Sequence, residues 1–245
     1  MKPPAHTYIN LKQEDYDKSV YRVITFERLV ELFESKRNVL VHPSMWDDPF
    51  ENIFLNAIYT TDGGEQFRLA FRDHVFGQCW TLKGESDAMW RIYSANKDGV
   101  RIRTTIRKLL GSLHDTLPHD HANISCFIGK VSYYTQRQLQ RINLPILDST
   151  GVNQAKSLMI KRNAFEHEKE IRLVYCAPES SKPMQRIFNY ECNPQEIISR
   201  VTFDPRMSRT MVRVFRSHLQ SIGYKGIIDQ SQLYTLPKEF IRKAT

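Results

Sequence analysis

The run Phe165-Glu166-His167-Glu168-Lys169-Glu170-Ile171-Arg172-Leu173-Val174-Tyr175 carries the densest chemistry in the chain. Written as an extended strand it has period two, so Glu166, Glu168, Glu170 and Arg172 share one face and Ile171, Leu173 and Tyr175 the other. Three carboxylates and a guanidinium are poor core material, because unpaired buried charge is costly. Such a face suits the wall or rim of a cleft. There it can hold a hard cation or stabilise positive charge as it develops on a substrate. The alternative is a solvated helix end in which Glu and Lys serve only propensity.

Other clusters add to this face. Trp46-Asp47-Asp48-Pro49-Phe50-Glu51 places an aromatic and three carboxylates in a proline-stiffened turn, which is either turn chemistry or part of a site. Met89-Trp90-Arg91-Ile92-Tyr93 has helical spacing and reads as core or as an aromatic site wall. Arg101 and Arg103 share a strand face, and Arg209, Arg213 and Arg216 share a helix face. Both are solvated faces or phosphate contacts. His114, Asp115, His119, Asp120 and His121 read as a solvated loop around Pro118 rather than a metal site. His167-Glu168 opens like H-E-x-x-H, but Ile171 ends that reading. No Gly-x-Gly-x-x-Gly, Walker loop or Gly-x-Ser-x-Gly elbow occurs.

The elements that must position these groups alternate irregularly. Val20–Ile24 reads as a strand, and Thr25 caps a helix over Phe26–Ser35. Strands follow around Val39–His42, Gly77–Leu82, Val100–Thr104, Phe127–Tyr134, the Glu-rich run and Val201–Phe203. Ala155–Phe165 is expected to be helical. So is Arg209–Ser221, capped by Ser208, with Met211, Phe215, Leu219 and Ile222 as its apolar stripe. Strands and helices without regular βαβ order argue for one α+β domain over 21–235, with a peripheral segment 1–20, an insertion around 136–153 and a tail 236–245.

Composition narrows the field. With 245 residues, 41% hydrophobic, the chain can bury one substantial core and is not a disordered polymer. No apolar run is long enough to span a membrane, and no secretory signal opens the chain, so the cytoplasm is the default compartment. The four cysteines, without a C-x-x-C pair, indicate neither zinc nor a disulfide framework. A net charge of +8 makes a polyanion such as nucleic acid a reasonable partner.

Taken in order, Asp47-Asp48-Pro49-Phe50-Glu51, Cys79-Trp80-Thr81, Met89-Trp90-Arg91-Ile92-Tyr93 before Gly99-Val100, and Phe165-Glu166-His167-Glu168-Lys169-Glu170-Ile171-Arg172 resemble a bacterial family known as domain of unknown function twenty-nine seventy-one. Four positions depart from its pattern: Asp47 stands for Asn, Ile92 for His, Phe165 for Trp and His167 for Tyr. A second resemblance is to the ADP-ribosyltransferase layout. It implies two small sheets flanked by helices, with an NAD cleft between them and no metal. By that resemblance Arg22 holds an NAD phosphate or ribose, and Tyr93 or Trp90 stacks on nicotinamide. Glu170 bonds the ribose and stabilises the oxocarbenium-like transition state, while Glu168 orients the acceptor. Asp48, Glu51 and Arg172 then support the cleft. The function implied is ADP-ribosyl transfer or cleavage by a toxin or defence effector. Two readings from other classes compete: a non-catalytic nucleic-acid-binding module, and a metal-dependent nuclease built on Asp48, Glu51, Glu168 and Glu170.

Overall fold

The computed structural model describes residues 2–142, 150–178 and 186–237. In chain order the elements are β1 (Tyr8–Ile9), β2 (Ser19–Thr25), α1 (Phe26–Ser35), β3 (Arg37–Val41), α2 (Ile53–Asn56), β4 (Tyr59–Thr60), β5 (Gln66–Phe67), β6 (Val75–Thr81), α3 (Asp87–Tyr93), β7 (Gly99–Thr105) and α4 (Ile106–His114). There follow α5 (His119–Ser125), β8 (Cys126–Lys130), β9 (Ser132–Tyr134), α6 (Gln136–Leu139), α7 (Val152–Ser157), β10 (Ile160–Arg162), β11 (Glu170–Cys176), β12 (Ile187–Glu191), α8 (Pro194–Ile197), β13 (Arg200–Phe203), α9 (Arg209–Ser221) and β14 (Ile227–Gln230). The class is α+β, with one ten-stranded sheet and two two-stranded sheets among the described residues.

The main sheet forks at β6. Along one edge β6 pairs antiparallel with β11 from Thr81↔Glu170 to Val75↔Cys176. Along its other edge it touches β2 only at Thr81↔Tyr21 and β3 only at Gly77↔Val41. One branch runs on through β2, β7, β13 and β14, the other through β3 and β12. Between the branches, Gln78, Cys79 and Trp80 border a slot rather than a partner strand. Apolar side chains cover both faces of the sheet, as the alternation of β11 requires. Ile171, Leu173 and Tyr175 pack with Leu29, Ile106 and Leu109, while Val174 and Cys176 pack with Phe127 and Leu158. Full burial of side chains of this kind contributes about 1.5–3 kcal/mol each.

Local chemistry explains the expected elements that form. The Thr25 hydroxyl accepts from Arg28 N, and α1 ends where Lys36 takes a left-handed conformation. Ser208 caps α9 in the same way. Four expectations need correction. Ala155–Phe165 is not one helix: α7 stops at Ser157, and β10 then pairs in parallel with β9 through Lys161↔Tyr133. His114–His121 is not a loop, since His114 ends α4, buried, and α5 starts at His119 after Pro118. In α9 the apolar stripe uses Val212, with Phe215, Leu219 and Ile222, whereas Met211 is exposed. Within 1–20, expected to be peripheral, β1 pairs with β8 and buries Tyr8 and Ile9, and Ser19 and Val20 already belong to β2, inside the sheet. The centre of the expected insertion, 143–149, and the tail from 238 lie outside the described residues.

Candidate active site

The carboxylate face forms differently from a continuous strand. Asn163–Glu168 winds into a 3-10 turn, Lys169 takes φ 46° and β11 begins only at Glu170. The left-handed residue breaks the period-two alternation, so Glu166 leaves the group and pairs with Lys169 at 2.7 Å on the surface. The Glu168 carbonyl instead accepts the Thr81 hydroxyl, and the Lys169 carbonyl accepts Leu82 N at 3.0 Å. These contacts fasten the turn to the end of β6, at one end of the slot.

Glu168, Glu170 and Arg172 are buried, contrary to the expectation of an open cleft wall. Burial is tolerated because the fold brings in two groups from elsewhere. Lys161, on β10, places Nζ 2.9 Å from Glu51 Oε1, 2.5 Å from Glu168 Oε2 and 3.4 Å from Glu170 Oε1. Arg172 Nη2 lies 2.6 Å from both Glu51 Oε2 and Glu170 Oε2, and its Nη1 donates to the Leu158 carbonyl at 2.7 Å. The Trp46 ring covers the guanidinium at 4.4 Å. That ring fits because residue 77 is glycine: a Cβ there would stand 2.7 Å from Trp46 Cζ2.

Three carboxylates against two cations leave one negative charge in excess. Glu168 carries the least compensation: its Oε1 accepts the Tyr93 hydroxyl at 3.4 Å, and its carboxyl also abuts that of Glu170. Burial raises its pKa, and Lys161 does not fully reverse the effect. Burial also opposes ionisation of Glu170, but Arg172 and Lys161 together overcome it, so the Glu170 pKa lies below its ordinary value. Burial raises Glu51 as well. Two neighbouring carboxylates pushed in opposite directions are the arrangement that acid–base and charge-stabilising chemistry uses.

Glu168 and Glu170 line a cavity of about 320 Å³ together with Tyr93, Cys79, Arg22 and Arg28. Tyr93 projects from α3 with 43% of its surface exposed. The helix carrying it is fixed at both ends. Ser86 caps its start, and Arg206, held by Asp204, donates to the Trp90 and Ser94 carbonyls at 2.9 and 2.8 Å. Arg22, from β2, is half-buried and makes no side-chain hydrogen bond or ion pair with any described residue. Desolvation lowers its pKa to about 10, and neighbouring Arg28 adds to the effect.

Other expected site residues fall elsewhere. Trp90 cannot stack on a ligand: it is 1% exposed, with its indole N–H donating to Glu85 Oε1 at 2.6 Å. Arg101 pairs with the same Glu85 at 3.0 Å and lies over the Tyr21 and Trp90 rings, while Arg103 donates to Ser199 Oγ at 3.0 Å. Both arginines are thus engaged within the protein. Arg209 and Arg213 are exposed on α9, whereas Arg216 donates to the Ile228 carbonyl at 2.8 Å and leaves the stripe. Glu51 and Arg172 join the buried cluster, but Asp48 stands outside it, paired with Arg162 at 2.9 Å. Ile92, where the family pattern has histidine, is 54% exposed and lines neither this cavity nor the adjoining one. Among the described residues, no group of three or more His, Cys, Asp or Glu is arranged to hold a metal ion.

Lys161 and Tyr133, whose hydroxyl accepts Glu170 N at 2.8 Å, were not anticipated from sequence. The available signal for Lys161 was a lysine set directly after the apolar run Leu158-Met159-Ile160 and before Arg162.

The family described as Protein of unknown function (DUF2971) matches residues 89–173, from α3 to the middle of β11. That stretch holds Tyr93, Lys161, Glu168, Glu170 and Arg172 and excludes Arg22 and Glu51. Among solved structures, the chain is similar to Thermus sp. 2.9 DarT in complex with NAD+, at 10% identity over 88% of this chain and 96% of that one, TM-score 0.39. It is likewise similar to Thermus sp. 2.9 DarT in complex with ADP-ribosylated ssDNA, at 10% identity over 95% and 98%, TM-score 0.41. No curated protein matches the chain. No helix among the described residues is long and apolar enough to cross a membrane.

Proposed function

We propose that the protein is an NAD-using enzyme that transfers or cleaves ADP-ribose, acting as a toxin or defence effector. The observation that carries this reading is a cavity with two opposed features. On one wall is a desolvated guanidinium without an ion-pair partner among the described residues, and on the other Glu168 and Glu170, two members of a cluster in which three carboxylates meet two cations. A dinucleotide satisfies both. Its pyrophosphate supplies the anion that Arg22 lacks. Its nicotinamide riboside supplies a carbon that becomes positive as the glycosidic bond breaks. Glu170, held ionised, stabilises that charge. Tyr93 offers an exposed ring for stacking on nicotinamide. Glu168, with its raised pKa and with Oε1 held only by the long contact to the Tyr93 hydroxyl and not by Lys161, takes the proton of the attacking nucleophile.

Nucleic acid is the proposed acceptor class, because Arg209 and Arg213 remain free for phosphate contact on an exposed helix face. The hard-cation reading fares worse. A divalent ion would have to displace Lys161 and Arg172, and Asp48 is already held by Arg162. The test is NAD added to the protein in EDTA, with melting temperature and nicotinamide release both followed. The expected result is a raised melting temperature, lost in Tyr93→Ala, and nicotinamide release abolished in Glu168→Gln. Stabilisation by Mg²⁺ or Mn²⁺ with none by NAD would overturn the reading.

A further inference from the structure

A second cavity, of about 330 Å³, adjoins the first. Of β6, Gln78 lines the second cavity, Cys79 and Thr81 line the first, and Trp80 lines both. The two cavities meet at the slot in the fork. Arg22, Ile24, Arg28 and Trp80 border both. The junction is therefore built around two guanidiniums. Neither is hydrogen-bonded or ion-paired through its side chain to any described residue, and they stand close enough for Arg28 to depress the Arg22 pKa. Two like charges held together without a counter-ion form a seat for a strong anion.

Beyond the junction, the walls of the second cavity combine apolar and amide groups with a third cation. Val39, Val41 and Ile198 give it apolar area, and Asn189 offers an amide. Its inner polar groups are already satisfied and rigid. Gln78 Nε2 donates to Asn38 Oδ1 at 2.8 Å and to the Val39 carbonyl at 2.9 Å, while its Oε1 accepts the Trp80 indole N–H at 2.7 Å. Arg37, at the start of β3, lines this cavity only, and its side chain has no partner among the described residues. Glu31 is the acid in the lining, a ready acceptor for a ribose hydroxyl.

We infer that the second cavity is the adenylate subsite of a dinucleotide that threads the fork, with its diphosphate at Arg22 and Arg28 and its adenosine half beside Arg37. This rests on the NAD reading of the first cavity. Two spaces of similar size, each suited to a nucleoside, meet at paired unmatched guanidiniums. That is the shape and charge pattern of two nucleosides joined by a diphosphate.

The experiment measures ADP and nicotinamide mononucleotide binding by calorimetry at fixed ionic strength. It uses the full chain and the variants Arg37→Gln, Arg28→Gln and Tyr93→Ala, with inorganic pyrophosphate as a third probe. Arg37 and Arg28 are exposed, so their variants are expected to fold. Arg37→Gln should weaken ADP about tenfold and leave nicotinamide mononucleotide unchanged, and Tyr93→Ala should do the reverse. Arg28→Gln should weaken both. ADP affinity indifferent to Arg37→Gln, no ADP binding at all, or pyrophosphate binding as tightly as ADP would each overturn the assignment. Nicotinamide release from NAD keeps the two readings separate. Release with ADP binding insensitive to Arg37→Gln removes the subsite alone. The crossed ADP and mononucleotide pattern without release removes the catalytic reading alone.

Discussion

On the β11 side of the fork, Glu51, Glu168 and Glu170 close around Lys161 and Arg172 at 2.5–3.4 Å. On the β2 side, Arg22, Arg28 and Arg37 face a cavity in which no described acid pairs with any of them. The first region is held together by its charges, and removing one partner strands the rest in a dry interior. The second holds charges without ion-pair partners among the described residues, and one of them is desolvated at a cost. A cost kept without structural return marks a place where an external partner is expected. Stability measurements should separate the regions more clearly than activity alone.

The largest expected effect is Arg172→Leu. It leaves Glu51 and Glu170 buried with Lys161 as their common cation, and should cost about 3–5 kcal/mol in urea unfolding. A loss below 1 kcal/mol would show that the cluster is not what fastens β11 to the 3-10 turn before β11. Next is Glu170→Gln, which keeps volume but removes charge-assisted bonds from Arg172, and should cost about 1.5–3 kcal/mol.

Glu168→Gln should move stability at neutral pH by less than about 1 kcal/mol, because it removes the excess negative charge rather than a needed one. Its pH dependence sharpens the point. A carboxyl whose folded pKa is raised contributes stability that is complete at low pH and lost as pH rises through the folded value. The variant should therefore gain on the wild type as pH rises above the ordinary value of 4.5. Glu170 has the opposite sign. Its lowered pKa adds stability above the ordinary value that disappears as pH falls through the folded one, so Glu170→Gln should do least harm in acid. A Glu168→Gln deficit that grows with pH would reverse this assignment.

The smallest stability effect is expected on the other branch. Arg22→Gln should leave the melting temperature unchanged or slightly raised, since no described residue loses a partner. The same substitution should remove most of the stabilisation that NAD gives. A large destabilisation without ligand would mean that Arg22 is structural, and the contrast between the branches would collapse.

Much of the fold was legible because local physics fixes it. Thr25 and Ser208 announce the starts of α1 and α9, and the spacing of Leu29 and Phe33 buries one face of α1. The α+β class followed from strands and helices in irregular order. Ala155–Phe165 reads as a helix because its apolar residues fit a helical period, whereas β9 offers β10 a strand partner that the segment itself cannot announce. The carboxylates were visible as residue types, but their surroundings were not. Trp90 looked like Tyr93 in sequence, two aromatics on one short helix, and only packing buries the first and exposes the second.

By itself the sequence determined which groups this protein can use: the acids of the 165–175 run, Glu51 in its proline-stiffened turn, Arg22 on its strand, and an excess of basic charge. Tertiary structure decided which of them meet. The left-handed turn at Lys169 drops Glu166 and turns Glu168 back toward Glu170. The β9–β10 pairing delivers Lys161 to three acids, one of them 110 residues earlier in the chain. The fork at β6 opens the slot in which Arg22 finds no ion-pair partner among the described residues. Helix caps and periodicity act within a few residues and can be read along the chain. Charge compensation acts through space, over a few ångströms between segments far apart in sequence, and exists only once the sheet has brought them together.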